Sequence, residues 1–156
     1  MKIVTGGQTG VDLAAWQYAL DNGIAYGGWV PKGRLNEAGR IPERFKGLTE
    51  TQSEDVAVRT KRNVQACDAL LVFVDGVTSP GTQLTIDFAK EIGKPFLVVD
   101  LRRGGGVCAD QINSWIMSHP ATMVNIAGPR ESEAPGIGAQ VTSVLQQVRF
   151  PIDTNS

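Results

Sequence analysis

Residues 69–74 read Ala69-Leu70-Leu71-Val72-Phe73-Val74, an unbroken apolar run. A strand with one wet face alternates apolar and polar side chains. A continuous run of this length marks a strand covered on both faces, as in a parallel sheet with helices on either side. What flanks it agrees. Asp75-Gly76-Val77-Thr78-Ser79-Pro80-Gly81-Thr82 forms a loop that feeds a helix predicted over residues 82–92. Gly93-Lys94-Pro95 then breaks into a further strand, Phe96-Leu97-Val98-Val99. On the upstream side, Ser53 with Glu54 and Asp55 opens a helix that carries Val56, Val64 and Cys67 on its apolar positions and Arg59, Lys61 and Arg62 outside.

The same strand, loop and helix unit opens the chain. Lys2-Ile3-Val4-Thr5 stops at Gly6-Gly7-Gln8-Thr9-Gly10, after which Leu13, Trp16, Ala19 and Leu20 recur at helical spacing. Asn22-Gly23 ends that helix, and residues 24–26 form a short second strand. Residues 29–52, broken by Gly and Pro, are expected to make a long ordered loop over a pocket mouth. Beyond Asp100-Leu101-Arg102-Arg103-Gly104-Gly105-Gly106 come a helix at 109–117, a strand at 121–126, the loop Gly128-Pro129-Arg130-Glu131-Ser132 and a helix at 138–148. These alternating elements predict an α/β fold with a doubly wound, mainly parallel sheet. One ligand-binding domain would span residues 1–150, and residues 151–156 would be a polar tail. The expected strand order is 2-1-3-4-5, with a crevice between the carboxyl ends of strands one and three.

Composition narrows the function. The 156 residues hold 15 Lys plus Arg against 16 Asp plus Glu, a net charge of -1 that disfavours a dedicated nucleic-acid or anionic-membrane binder. Two cysteines, Cys67 and Cys108, lack CxxC spacing, and the single histidine, His119, argues against a first-row transition-metal enzyme. The opening MKIVTGG is too short an apolar run for a secretion signal, and no stretch is long enough for a membrane span, so a soluble cytoplasmic protein is expected.

The candidate site lies in two loops. Gly6, Gly7, Gln8, Thr9 and Gly10 sit between strand and helix, where glycines allow close approach and backbone N–H groups with a helix terminus can cradle phosphate. The pattern is neither G-x-G-x-x-G nor a P-loop ending in Gly-Lys-Ser/Thr. A turn with a Thr9 and Asp12 capping box is the structural alternative. Thr78, Ser79, Gly81 and Thr82 supply hydroxyls and a second helix N-terminus at the end of the central strand. Ser79 has no histidine partner that would make it a nucleophile. Lys32 and Arg34, in the basic turn Pro31-Lys32-Gly33-Arg34, are expected to close over the pocket and neutralise the ligand. Arg59 and Arg62 face either that pocket or solvent. Trp29 is placed to stack on a planar ring, Trp16 and Trp115 to pack, Cys67 to be buried and Cys108 to be partly exposed. Asp75 and Asp100 are equally suited to magnesium or ribose contacts and to turn capping.

Together, GGQTGVD at 6–12, GGWVPKGR at 27–34, RTKRNV at 59–64 and NIAGPRESEAPGI at 125–137 resemble the molybdenum cofactor carrier family over about residues 3–148. The resemblance implies a Rossmann-like fold related to nucleotide-sensing proteins and to lysine decarboxylase-like phosphoribohydrolases. It implies binding of a molybdenum-bearing pyranopterin phosphate by a homo-oligomer that serves a molybdoenzyme or a cofactor-biosynthesis partner. It also places phosphate recognition at Gly6, Gly7, Thr9 and Gly10, with Gly81 and Thr82 opposite. Where the related hydrolases carry P-G-G-x-G-T-x-x-E, this chain reads PGTQLTIDF, with Thr82, Leu84 and Phe88 at the second glycine, the third glycine and the glutamate. The leading expectation is a non-catalytic carrier. The alternatives are a nucleotide or nucleoside-phosphate N-glycoside hydrolase, using Asp12, Asp75, Asp87 or Glu131, and a nucleotide sensor.

Overall fold

A computed structural model describes residues 1–151. Five parallel strands form the central sheet: β1 (Lys2–Val4), β2 (Ala25–Gly27), β7 (Ala69–Val74), β8 (Phe96–Asp100) and β9 (Met123–Ala127). Between β2 and β7 the chain adds β3 (Trp29–Val30), β4 (Leu35–Asn36), β5 (Gly39–Arg40) and β6 (Thr49–Glu50). The helices are α1 (Val11–Asp21), α2 (Val56–Ala66), α3 (Pro80–Glu91), α4 (Gly105–Ser118) and α5 (Ile137–Leu145). The α/β class and the parallel, doubly wound sheet are as the sequence pattern requires.

All of β7 is buried, because its two faces pack different helices. Leu71 and Phe73 join α1, α4 and α5 through Val11, Tyr18, Ile112, Trp115, Val141 and Leu145. Leu70, Val72 and Val74 join Val64 of α2 and Ile86 and Phe88 of α3. At about 1.5–3 kcal/mol for each large apolar side chain removed from water, this strand is a principal source of stability.

The strand order corrects the expected one. The sheet runs β2-β1-β9-β7-β8, so the last strand is inserted between the first and the central one. Val4 pairs with Asn125, and Leu70 pairs with the same residue from the other side. Strands one and three are therefore not neighbours. The interior position buries the strand: Val124 and Ile126 project to one face, into the core with α1, α4 and α5, and Asn125 on the other is 3 % exposed.

The segment at 29–52 is ordered as expected, but it forms more structure than a loop. β3 pairs with β6 in parallel, and β4 pairs with β5 as an antiparallel hairpin. Val30, Ile41 and Phe45 bury themselves against Trp16 of α1 in a small core of their own. Helix ends differ from the sequence reading, and α5 stops at Leu145 rather than at residue 148. α2 is capped by Asp55, whose side chain accepts from Ala57 N–H, and α3 begins at Pro80 behind Ser79. α4 starts earlier, at Gly105. Cys108 is 0 % exposed, which corrects the expectation of partial exposure, since it lies on the buried face of α4 with Ala109 and Ile112. Residues 152–156 of the expected tail lie outside the described residues.

Candidate functional site

At the carboxyl ends of β1, β9 and β7, on the face covered by α2 and α3, lies a cavity of about 120 Å³. Each wall comes from a different element. The loop after β1 brings Gly6 and Gln8, with Asp12 behind them in the first turn of α1. The α3 terminus brings Ser79, Gly81, Thr82 and Thr85, and α2 brings Val56, Arg59, Thr60 and Asn63. Asn125 and Ala127 of β9 form the floor, and Gly128, Arg130 and Glu133 follow them.

The Gly6 loop and the Ser79 loop thus meet at one concave surface. Five residues expected in the site line it: Gly6, Gln8, Ser79, Gly81 and Thr82. The others lie outside its wall. A side chain on Gly7 would strike Ile41 and Trp16, so this residue faces the small core. Gly10 (φ 79°) lies against the Pro129 carbonyl. Thr9 donates its hydroxyl to Glu37 and accepts from Glu131 N–H, so the capping box with Asp12 does not form. Thr78 is exposed. Lys32 is exposed beside its backbone bond to Ser53, and the Arg34 guanidinium donates to the Pro42 and Phe45 carbonyls. The basic turn therefore does not close over this cavity, because Val30, Ile41 and Phe45 anchor its segment to α1.

Two cations line the cavity, Arg59 and Arg130, and Arg59 is the one free of a carboxylate hydrogen bond. Burial draws its pKa down, while nearby Asp12 pushes it back up. Its Nη1 donates to Thr60 Oγ1 at 2.6 Å, but Nε is buried without a hydrogen-bond partner. A side chain on Gly6 would come within 2.7 Å of this guanidinium, so glycine is what lets the arginine lie flat against the loop. Arg62, three residues on, faces away and lies over the Trp29 ring at 5.3 Å. Trp29 is held by Asn63, whose side chain accepts from its N–H at 2.7 Å and donates to its carbonyl at 3.0 Å.

Asp12 is 5 % exposed. Burial pushes its pKa up to about 6 against the opposing pull of Arg59 and of the Gln8 and Gly6 N–H groups. Gln8 N–H donates to its Oδ2 at 3.2 Å. The α3 end is only loosely capped: Ser79 Oγ accepts from Thr82 N–H at 3.4 Å and donates to Thr82 Oγ1 at 2.9 Å. A helix N-terminus and a buried guanidinium with an idle nitrogen therefore converge on one space, a donor set matched to an oxyanion.

Of the carboxylates considered for hydrolysis, only Asp12 lines the cavity. Phe88 is buried in the α2 and α3 core, Asp87 is exposed and accepts from Gln83 Nε2, and Glu131 accepts from Gly136 and Gly138 N–H. Asp75 is absent from the wall, and Asp100 accepts from Arg102, as a turn-capping role requires. Thr60, Asn63 and Thr85 were not singled out from the sequence. Their signal was a polar side chain at the inward positions of α2 and α3, 7 %, 2 % and 5 % exposed.

The profile of the circularly permuted YpsA SLOG family matches residues 3–149. The chain belongs to this family. Permutation also accounts for the sheet: counted from β7 as the first strand, the order β8-β7-β9-β1-β2 reads 2-1-3-4-5, the doubly wound order with its origin moved. The cavity of this SLOG protein then falls at the switch point between the first and third strands of that count, β7 and β9. Among solved structures, the SLOG chain is similar to the "putative molybdenum carrier protein" of Syntrophus aciditrophicus SB, with 43 % identity and a TM-score of 0.92 over 96 % of this chain and 94 % of that one. A search of curated proteins finds no match. No helix among the described residues is long and apolar enough to cross a membrane.

Proposed function

We propose that this protein binds and carries the molybdenum cofactor, held by the phosphate of its pterin. The observation that carries this reading is the buried Arg59 guanidinium, with its unpartnered Nε, lining the same cavity as the α3 N-terminus. The name of the Syntrophus aciditrophicus relative and the shared family support it. At about 120 Å³ the cavity suits the phosphate group, and the pterin would lie across the mouth near Val56, Leu84 and Arg130. The metal's sulfur ligands would come from the cofactor's own dithiolene. A homo-oligomer handing its cargo to a molybdoenzyme or a biosynthetic enzyme completes the proposal.

Titration with the intact cofactor and with its phosphate-free analogue, read by native mass spectrometry, tests it. Uptake of the phosphorylated form alone is expected. Equal failure of both would reject the assignment.

Asp12 favours a second reading, hydrolysis of a nucleoside phosphate, since a carboxyl with a pKa of about 6 is suited to general acid or base work. Release of free base from a panel of nucleoside monophosphates, abolished in Asp12→Asn, would establish that chemistry in place of carriage.

A further inference from the structure

We propose that Asp12 makes this cavity selective for oxyanions that bring a proton, such as hydrogen phosphate, over fully ionised ones such as sulfate. The inference rests on the anion-binding reading above and adds which anion is taken. Its ground is an apparent contradiction in the wall. A site built to receive negative charge has a carboxyl buried in its lining, in the first turn of α1 behind the Gly6 loop.

The charges around Asp12 can be stated element by element. α2 contributes Arg59, which lies flat on Gly6. The segment after β9 contributes Arg130, itself bound to Glu133 at 3.2 Å and near Glu37 at 4.0 Å. α3 contributes the hydroxyls of Ser79, Thr82 and Thr85 and no charged group to the wall. The loop before α1 contributes N–H groups alone, with Gln8 N–H donating to the carboxyl. Arg59 is therefore the one cation of the wall free of a carboxylate hydrogen bond, and Asp12 already draws on its charge.

An arriving dianion competes with Asp12 for that guanidinium. Two acceptors facing each other at low dielectric repel, but a single proton between them converts the clash into a short charge-assisted O–H···O bond. Hydrogen phosphate carries that proton in, whereas a phosphomonoester, whose second pKa of about 6 matches that of Asp12, takes one up only as the pH falls toward 6. Sulfate has none, so Asp12 must be protonated first. The carboxyl, poised near pH 6, meets that demand only in mildly acid solution.

Calorimetric titration of the full chain with inorganic phosphate and with sulfate decides the matter. At about pH 7.5 phosphate should bind about tenfold or more tightly than sulfate, and the gap should close as the pH falls below about 6. Asp12→Asn should bind both anions alike at either pH. Equal affinities in the wild type near pH 7.5, or a preference for phosphate that survives in Asp12→Asn, would overturn the selectivity while leaving the anion site standing. Binding of neither anion by the folded chain would overturn the site and the selectivity together. Should the variant not fold, the pH dependence of the wild-type preference still decides.

Discussion

The Asp12 carboxyl is a stability statement as well as a functional one. Its folded pKa of about 6 stands above the ordinary 3.8, so the native state holds this proton more tightly than the unfolded chain does. Below the lower value both states are protonated and nothing is lost. As the pH rises through the window from 3.8 to about 6, the unfolded chain ionises first and stability falls. The wild type should therefore lose about 2–3 kcal/mol relative to Asp12→Asn between pH 4 and pH 7, measurable by urea denaturation across that range. A constant difference would show that the carboxyl is not held protonated. Arg59 is the complementary residue. Arg59→Met should lower affinity for inorganic phosphate by about tenfold to a hundredfold, because the ion loses its charge-assisted donors, and calorimetry would read the loss directly.

At the scale of elements, α2 and α3 differ in how their N-termini are used. α2 is capped by Asp55, outside the cavity, with its carboxylate on Ala57 N–H at 2.9 Å. Asp55→Ala should cost about 1 kcal/mol, or about 2–4 °C in melting temperature, and leave phosphate affinity within twofold, since the cap holds the helix and touches no ligand group. Ser79 caps α3 through a 3.4 Å contact and lines the cavity as well. Ser79→Ala should therefore weaken stability and phosphate binding together, a pairing that a thermal melt and a titration on one sample would show. Gly6 bears on the same boundary. In Gly6→Ala the new methyl meets the guanidinium of Arg59, a side-chain end that can swing, so affinity should fall further than stability does.

On the scale of the whole molecule there are two apolar bodies, the sheet with its helices and the small core of Trp16, Val30, Ile41 and Phe45. The second holds residues 29–50 against α1 and braces the Gly6 loop from behind, where Gly7 lies against Ile41 and Trp16. Glu37 adds a polar clasp: hydrogen bonds from Ser132 and Thr9 hold its carboxyl below the usual carboxylate range. Phe45→Ala, at about 3–5 kcal/mol for a fully buried ring, should speed hydrogen exchange across residues 29–50 while β7 and β9 stay protected, and should loosen anion binding with it. Uniform acceleration across the chain would mean that the two bodies fold as one.

By itself the sequence determined the elements and their chemistry. The apolar run at Ala69-Leu70-Leu71-Val72-Phe73-Val74 required a parallel sheet covered on both sides, and the glycine and hydroxyl loops at Gly6 and Ser79 marked strand ends with helix termini behind them. Both readings depend on local period and backbone freedom, which neighbouring residues set. Strand order, the choice of cation and the place of Asp12 were decided by tertiary structure alone. β9 sits beside β1, with Val124 and Ile126 in the main core, a pairing between segments more than a hundred residues apart. Arg59 and Arg62 are indistinguishable by spacing, yet one lies on Gly6 inside the cavity and the other on Trp29 outside it. Lys32 and Arg34, basic and adjacent to glycine, read as ligand groups until the packing of Phe45 and Ile41 on Trp16 turned their segment toward α1. Charge declares what a side chain can bind, but only the burial of its neighbours fixes what it faces.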